Sequence, residues 1–505
     1  MDYLNSNAAP VREERLKTNI AFGGTAGELL ECARSGCFGA DGCLNQARRT
    51  FSQTIGCQFT LSLAVLYTMR KAVFVIHAPI GCGSQSVGSV GITQTLHKLR
   101  DERAEPLVWL STNLDEADVI TGGERKLRET VLFADAEFRP EAIIVCNTCV
   151  PSLIGDDLEN IVNDLQTQVS ATVVPVYCEG FKTKVMATAY DAIYHGVLKK
   201  YVRDPDRDKK LYESDLEKAR REYLISRNVN ILNVSSMSRA DELEIQRLLT
   251  AIGLNVQFLP CYSEPEDFQY ALESSLNVAI CGTHDDYFVK HMQEKYGIPF
   301  IIDTIPIGRK NTARWLLKIA EHFELVDEAR ALIAYEDKLL DKALEPFRAE
   351  LAEKTVFLGG GEVRVVGTAE IIQDLGMKIA GMKPHHFDEF IEPIFDVLED
   401  IDGVPVDVAT NQPFEQANLI RRIKPDLILS HTGGNNITAK YGVPILPIFG
   451  VSYNYMGYSG VYEVARRISR LLKNYQFNKR LSKNAPLPFK ESWYEQDPFT
   501  YIAEI

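Results

Sequence analysis

The stretch that most limits the folds open to this chain is Ser274–Tyr296, SSLNVAICGTHDDYFVKHMQEKY. Residues Leu276–Ile280 form a short, mostly apolar run that predicts a buried parallel strand. The run ends in Cys281-Gly282-Thr283. A helical pattern follows, with Phe288, Met292 and Tyr296 on one face, and Gly297-Ile298-Pro299 stops it. Cys281 is thereby placed at the carboxyl end of a strand, in the crevice where open α/β sheets hold ligands. A thiolate there is a soft ligand suited to iron–sulfur chemistry. A single cysteine in this position is ordinarily a buried free thiol; the further cysteines at comparable places give the metal reading its weight.

Those cysteines recur along the chain. The apolar run Ala72–Ile76 leads into His77-Ala78-Pro79-Ile80-Gly81-Cys82-Gly83, a strand followed by a Pro/Gly turn. Glu141–Val145 leads into Cys146-Asn147-Thr148-Cys149, and Thr172–Val176 into Tyr177-Cys178-Glu179-Gly180. Cys57 follows Ile55-Gly56 before the helix-like run Leu61–Tyr67. Cys146-x-x-Cys149 is disfavoured as a thioredoxin-type pair, because the predicted helix cap at Asp156 lies well beyond it. His77 reads as structural. Residues 1–20 read as a loose arm, and residues 21–56 as an irregular segment holding Cys32, Cys37 and Cys43, spaced for a cluster but more ordinarily packing residues.

A second α/β pattern begins near Asn230, after a charged stretch from Asp204 to Arg221. A long charged helix over residues 327–354, interrupted at Pro346, reads as a connector. A third pattern starts at Thr355–Leu358, followed by Gly359-Gly360-Gly361, which does not continue as a dinucleotide fingerprint. The chain therefore reads as α/β, with three Rossmann-like doubly wound domains around a central site, bounded at 1–225, 226–350 and 351–505.

Composition narrows the function classes. The 505 residues are 45% hydrophobic and 25% charged, a globular balance for two to four domains. A net charge of −14 argues against nucleic acid or an anionic membrane as partner. No run of 18 apolar residues occurs, and the polar N-terminus lacks a signal-peptide core, so a cytoplasmic location is expected. Ten cysteines in such a chain read as free or metal-bound. No G-x-x-x-x-G-K-[ST] occurs, so the chain has no P-loop for ATP.

With these motifs in place, the chain resembles the nitrogenase component 1 α chain. Cys57, Cys82 within PIGCG and Cys149 within CVPSLIGDD match the order and approximate spacing of three cysteines of that family. VPVYCEGF (174–181), LNVAIC (276–281) and HMQEKYGIPF (291–300) are also similar to it, and the resemblance spans roughly residues 25–475. It implies that Cys57, Cys82 and Cys149 hold one half of a P-cluster-type iron–sulfur cluster shared with a β-type subunit in an α2β2 heterotetramer. It implies that Cys281 anchors a nitrogenase-type active-site metallocluster of unknown heterometal, with electrons delivered by a homodimeric ATP-dependent iron–sulfur reductase.

The chain departs from that family where the second cofactor ligand, a histidine, is expected; the matching position is Pro447. Tyr190, Met186 and Val90 stand where the family has a histidine, a glutamine and an arginine, and His431–Asn435 lacks the matching lysine. The resemblance with these departures implies a nitrogenase-like reductase, similar to the methylthio-alkane reductases, that cleaves C–S bonds of small organic sulfides. Replacing polar groups by Met186, Val90 and Tyr190 suits a thioether. The alternatives are a cofactor-maturation scaffold chain, which would keep one firm ligand so that it can release its cluster, or another nitrogenase-like reductase. The expected site comprises Cys281 bordered by Val65, Val90, Met186, Tyr190 and His284, with Tyr190 or His284 delivering protons. His386 and His431 belong to the expected cofactor-binding set, and with His284 and His385 they are candidates to replace the missing histidine, although each is individually more ordinary as a structural residue.

Overall fold

The computed structural model describes residues 3–12, 17–18, 21–35, 56–85, 87–183, 185–202, 215–410, 412–431, 439–474 and 476–499. Its first strand is β1 (Phe22–Thr25). Strands β2 (Ala72–His77), β3 (Val108–Ser111), β4 (Ala142–Asn147) and β5 (Thr172–Tyr177) form one parallel sheet in the order β3-β2-β4-β5. Strands β6 (Asn228–Leu232), β7 (Asn255–Leu259), β8 (Leu276–Ala279) and β9 (Phe300–Ile301) form a second, in the order β7-β6-β8-β9. Strands β10 (Thr355–Gly360), β11 (Lys378–Pro384), β12 (Pro405–Val408), β13 (Leu427–His431) and β14 (Ile445–Phe449) form the third, in the order β1-β12-β11-β10-β13-β14. The architecture is the expected α/β one. Strand β4 is buried throughout, as is usual when helices cover both faces of a parallel sheet.

Each sheet reverses its strand order once, and the reversal places the chemistry. The switch lies between β2 and β4 in the first sheet, β6 and β8 in the second, and β10 and β13 in the third. Ligands of open α/β sheets sit in the crevice beyond the carboxyl ends of the strands at these points. Cys82 and Cys149 follow β2 and β4, Cys281 follows β8, and the Gly361–Arg364 turn follows β10.

Several expectations are corrected. β1 pairs antiparallel with β12, so residues 22–25 belong to the C-terminal sheet, not to the N-terminal unit of 1–225. The segment is not irregular here either: the helix Ala26–Arg34 follows, closed by a Thr25–Glu28 capping box. Cys32 lies in that helix; Cys37 and Cys43 lie outside the described residues. The connector helix runs unbroken as Val326–Leu351 with Pro346 inside it. It packs against the helix Gly457–Leu472, and Phe347, beside the proline, meets Tyr462 edge-on at 5.9 Å. Tertiary burial of that face outweighs the one hydrogen bond a proline removes.

The arm is likewise not loose over its described residues. Arg12 is buried, and its guanidinium bonds Asp191 and Asp286. The helix Thr188–Lys200 that receives it is buried from Thr188 through Leu198, between the first sheet and the helix Gly282–Tyr296.

Candidate functional site

Cys57, Cys82 and Cys149 come together at the surface. Cys57 caps the helix Gln58–Leu66, Cys82 lies in the short helix Ile80–Gln85, and Cys149 begins the helix Cys149–Ile154 directly. The expected gap between Cys149 and its helix is therefore absent, because Thr148 rather than Asp156 is the cap. Asp156 instead receives His77 Nε2 at 2.9 Å and the Gly123 N–H at 3.0 Å, which fixes His77 as structural. Cys146 faces the interior with Cys178, both fully buried.

Gly180 is the hub of the thiols. Its N–H donates to Cys149 Sγ at 3.1 Å. A Cβ at Gly180 would stand 3.0 Å from Cys57 Cβ, 3.3 Å from Cys149 Sγ and 3.6 Å from Cys57 Sγ. Only glycine leaves that space open. Burial raises the Cys82 thiol pKa, and the neighbouring Cys149 and Cys57 raise it further. Cys57 is exposed and the other two are half-buried. Ile80 and Leu153, from the helices that carry Cys82 and Cys149, and Phe181, beside Gly180, are 56%, 74% and 53% exposed. Among the described residues no group of three or more His, Cys, Asp or Glu side chains is disposed around a single metal ion. Thiols spread over one face suit a cluster of several irons better than one ion.

Cys281 occupies a different, interior site. It caps the helix Gly282–Tyr296 and is 3% exposed. Burial and the Glu362 charge push its thiol pKa well up. A thiol so placed is a weak nucleophile, but a metal ion displaces its proton outright. Its Sγ lies 3.9 Å from Glu362 Oε1, and that oxygen lies 3.2 Å from His386 Nε2. Burial alone would raise the Glu362 pKa; His386 and then His284 outweigh it and hold it at about 2. Asp388 extends the chain, 3.7 Å from His386 and bonded by Thr283 Oγ1 at 2.5 Å.

The rings of Tyr190 and His284 stack at 4.1 Å and 8°. Burial first, then nearby thiols and Asp285, raises the Tyr190 pKa, so its hydroxyl stays neutral. The pair expected to flank Cys281 is thus assembled. His386 reaches the site through Glu362, whereas Val65 and Val90 pack into the N-terminal core with Tyr190. Met186 is half-buried just ahead of the helix Thr188–Lys200. His431 ends β13. Gly282 does not leave room for an inorganic body: its missing side chain is replaced by the Ile302 carbonyl, 2.7 Å from a Cβ there, and by Phe390 at 2.8 Å.

Sequence reasoning missed Glu362 and Arg364. Arg364 is 7% exposed, and among the described residues its guanidinium has no ion pair or hydrogen bond. Its field reaches Tyr455, Cys281, Tyr190 and Glu362. Burial alone would lower its pKa, but these neighbours raise it, and the ionised Glu362 is its counter-charge although the two share no hydrogen bond. The signal was available in Gly359-Gly360-Gly361, which ends β10 at the switch point and opens the helix Glu362–Asp374.

The family model for nitrogenase component 1 type oxidoreductase matches residues 57–473. The nitrogenase iron-molybdenum cofactor biosynthesis protein NifE of Nostoc sp. is 27% identical, over 85% of each chain. The nitrogenase molybdenum-iron protein alpha chain of Herbaspirillum seropedicae is 29% identical over 80% of this chain and 81% of its own. The solved structure described as nitrogenase Cp1 at pH 5 superposes with a TM-score of 0.68 at 21% identity, covering 88% of this chain and 92% of that one.

Proposed function

The chain belongs to the nitrogenase component 1 type oxidoreductases, and on that premise we propose that it is the α-type catalytic subunit of a reductase that cleaves C–S bonds in small organic sulfides. The observation that carries this reading is the buried set around Cys281: one thiol, the buried Arg364 cation, the Glu362–His386 pair and the Tyr190–His284 stack. Cys281 would anchor the active-site cluster, and Arg364 would balance its negative charge. The cluster, when bound, supplies the reducing electrons; the chain supplies orientation, electrostatics and exclusion of water.

Tyr190 and His284 hold protons beside the anchoring thiol, and a departing thiolate needs one. The Glu362–His386–Asp388 chain orients the second wall of the site. Met186, Val90 and Val65 leave the N-terminal side apolar, which suits a thioether. Cys57, Cys82 and Cys149 would hold half of an electron-relay cluster, the other half coming from a β-type partner in an α2β2 assembly. A separate ATP-dependent iron–sulfur reductase would feed it from the cytoplasm. No described helix is long and apolar enough to cross a membrane.

A second reading is favoured by the NifE similarity over 85% of both chains: a maturation scaffold that holds a cluster at Cys281 for release. One experiment separates the two. The complex is purified anaerobically, with its reductase, as wild type and Cys281→Ala. The catalytic reading expects thioether cleavage by the wild type and loss of both the active-site cluster and activity in the variant, with the interface-cluster resonance kept. Full cluster signal and undiminished cleavage in Cys281→Ala sink it. Inactive wild type that passes its cluster to a cluster-free enzyme establishes the scaffold.

A further inference from the structure

The arm before β1 is tied to the elements that carry the Cys281 site. Leu4 packs against the N-terminal core, and the Ser6 carbonyl accepts from His195 Nε2 at 3.0 Å and Lys199 Nζ at 3.2 Å. Arg12 lies deepest. Its Nη1 donates to Asp286 Oδ2 at 2.6 Å, and its Nη2 to Asp286 Oδ1 at 2.9 Å and Asp191 Oδ1 at 3.0 Å. The guanidinium also sits 5.0 Å from the Tyr287 ring centre.

The two carboxylates belong to different helices. Asp191 adjoins Tyr190 on Thr188–Lys200, and Asp286 lies two residues after His284 on the helix that Cys281 caps. These helices also meet through Tyr194 Oη donating to Asp285 at 2.7 Å, and through His195 Nδ1, 2.8 Å from Tyr287 Oη. The seam therefore holds Asp191, Asp285 and Asp286, all buried, and Arg12 bonds the two that it reaches from different helices, Asp191 and Asp286. Lys290, 3.7 Å from Asp286 and 32% exposed, is a weaker counter-charge. Taking Arg12 away removes the guanidinium that bonds Asp191 and Asp286 at once, and truncating one member of a buried ion pair is strongly unfavourable.

We infer that residues 3–12 are a strap across this seam, with Arg12 the positioning residue that holds Tyr190 against His284 and keeps Cys281 shut from solvent. The inference rests on Cys281 being a cluster anchor, since its release would open a route by which a preformed iron–sulfur cluster reaches that thiol. Arg12 itself touches none of the reacting groups.

The test uses the full, metal-free chain pulsed with N-ethylmaleimide, and reads each cysteine by peptide mass spectrometry. In Arg12→Ala, Cys281 labelling rises at least tenfold, while Cys146 in β4 and Cys178 just after β5 stay at wild-type levels. Asp191→Asn, which removes the other half of the tie, gives the same selective rise and serves alone if Arg12→Ala does not fold. Unchanged Cys281 labelling, or labelling that climbs in step with Cys146 and Cys178, overturns the strap. A wild-type chain that binds no cluster at Cys281 fails the preceding reading instead, and leaves the labelling ratio to judge the strap by itself. In loaded protein, iron loss to a chelator is expected to quicken in Arg12→Ala by a similar factor.

Discussion

At the scale of single residues, Arg364 and Cys281 show the difference between what folds a chain and what equips it. Most of the interior follows the ordinary rule that a buried charge finds a partner. Arg12 has Asp191 and Asp286, and Arg100 lies on Glu242 at 2.6 Å. Arg364 is held without a hydrogen bond among the described residues, and such exceptions concentrate at functional sites. A sharp pair of outcomes follows. Arg364→Leu should leave the metal-free chain no less stable, because no hydrogen bond is lost with the guanidinium and an apolar side chain takes its place. The same change should lower cluster occupancy at Cys281. Thermal melting of the metal-free protein and metal analysis of the loaded complex read the two effects separately. A variant that is less stable and keeps its metal would show that Arg364 is simply part of the packing. Cys281 was legible in the sequence because a strand-like run ended on it. Arg364 was not: an isolated arginine after three glycines says nothing until the fold places it beside a thiol from another sheet, 83 positions away in the chain.

At the scale of elements, the strand runs were readable, and the turns that join them to helices were not. Ala72–His77, Ala142–Asn147 and Thr172–Tyr177 formed close to where their apolar runs lay, since a parallel strand buried on both faces needs a continuous apolar sequence. The helix starts moved, because which residue caps is decided by competition for donors. Asp156, a good cap by type, was taken up by His77 and Gly123, and its neighbour Asp157 capped the next helix through the Asn160 N–H at 3.2 Å. The short 3-10 turn Gly180–Lys182 shows how much can rest on one such junction. Gly180→Ala puts a methyl 3.0 Å from Cys57 Cβ and 3.3 Å from Cys149 Sγ. The expected cost is about 1–3 kcal/mol of overpacking, with loss of the surface-cluster resonance and retention of metal at Cys281. Electron paramagnetic resonance of the anaerobic complex distinguishes the two centres. Retention of both signals would mean that the three thiols do not share one cluster around this turn.

At the scale of the whole molecule, the proposed reading leaves the chain incomplete at one face. Three thiols are one short of the four cysteines that usually close an iron–sulfur cluster. They are bordered by Ile80, Leu153 and Phe181, each more than half exposed. Large apolar side chains grouped on an exposed face mark a surface that a partner covers. The sequence also lacks a P-loop, and on the proposed reading ATP is hydrolysed by a separate reductase. Leu153 lies in the same short helix as Cys149, four residues on and therefore on the same side of it. Leu153→Asp places a carboxylate on that surface without touching the core, so the melting temperature of the isolated chain should stay within about a degree or two, as for an exposed substitution worth under 0.5 kcal/mol. Burying the carboxylate against a partner costs far more, so association with the β-type chain should weaken at least tenfold. Size-exclusion chromatography of the co-expressed pair reads the shift from heterotetramer to free chain, and iron analysis reads the accompanying loss of the shared cluster. An assembly of wild-type size that carries its full iron with Asp at position 153 would place the partner on some other face of the molecule.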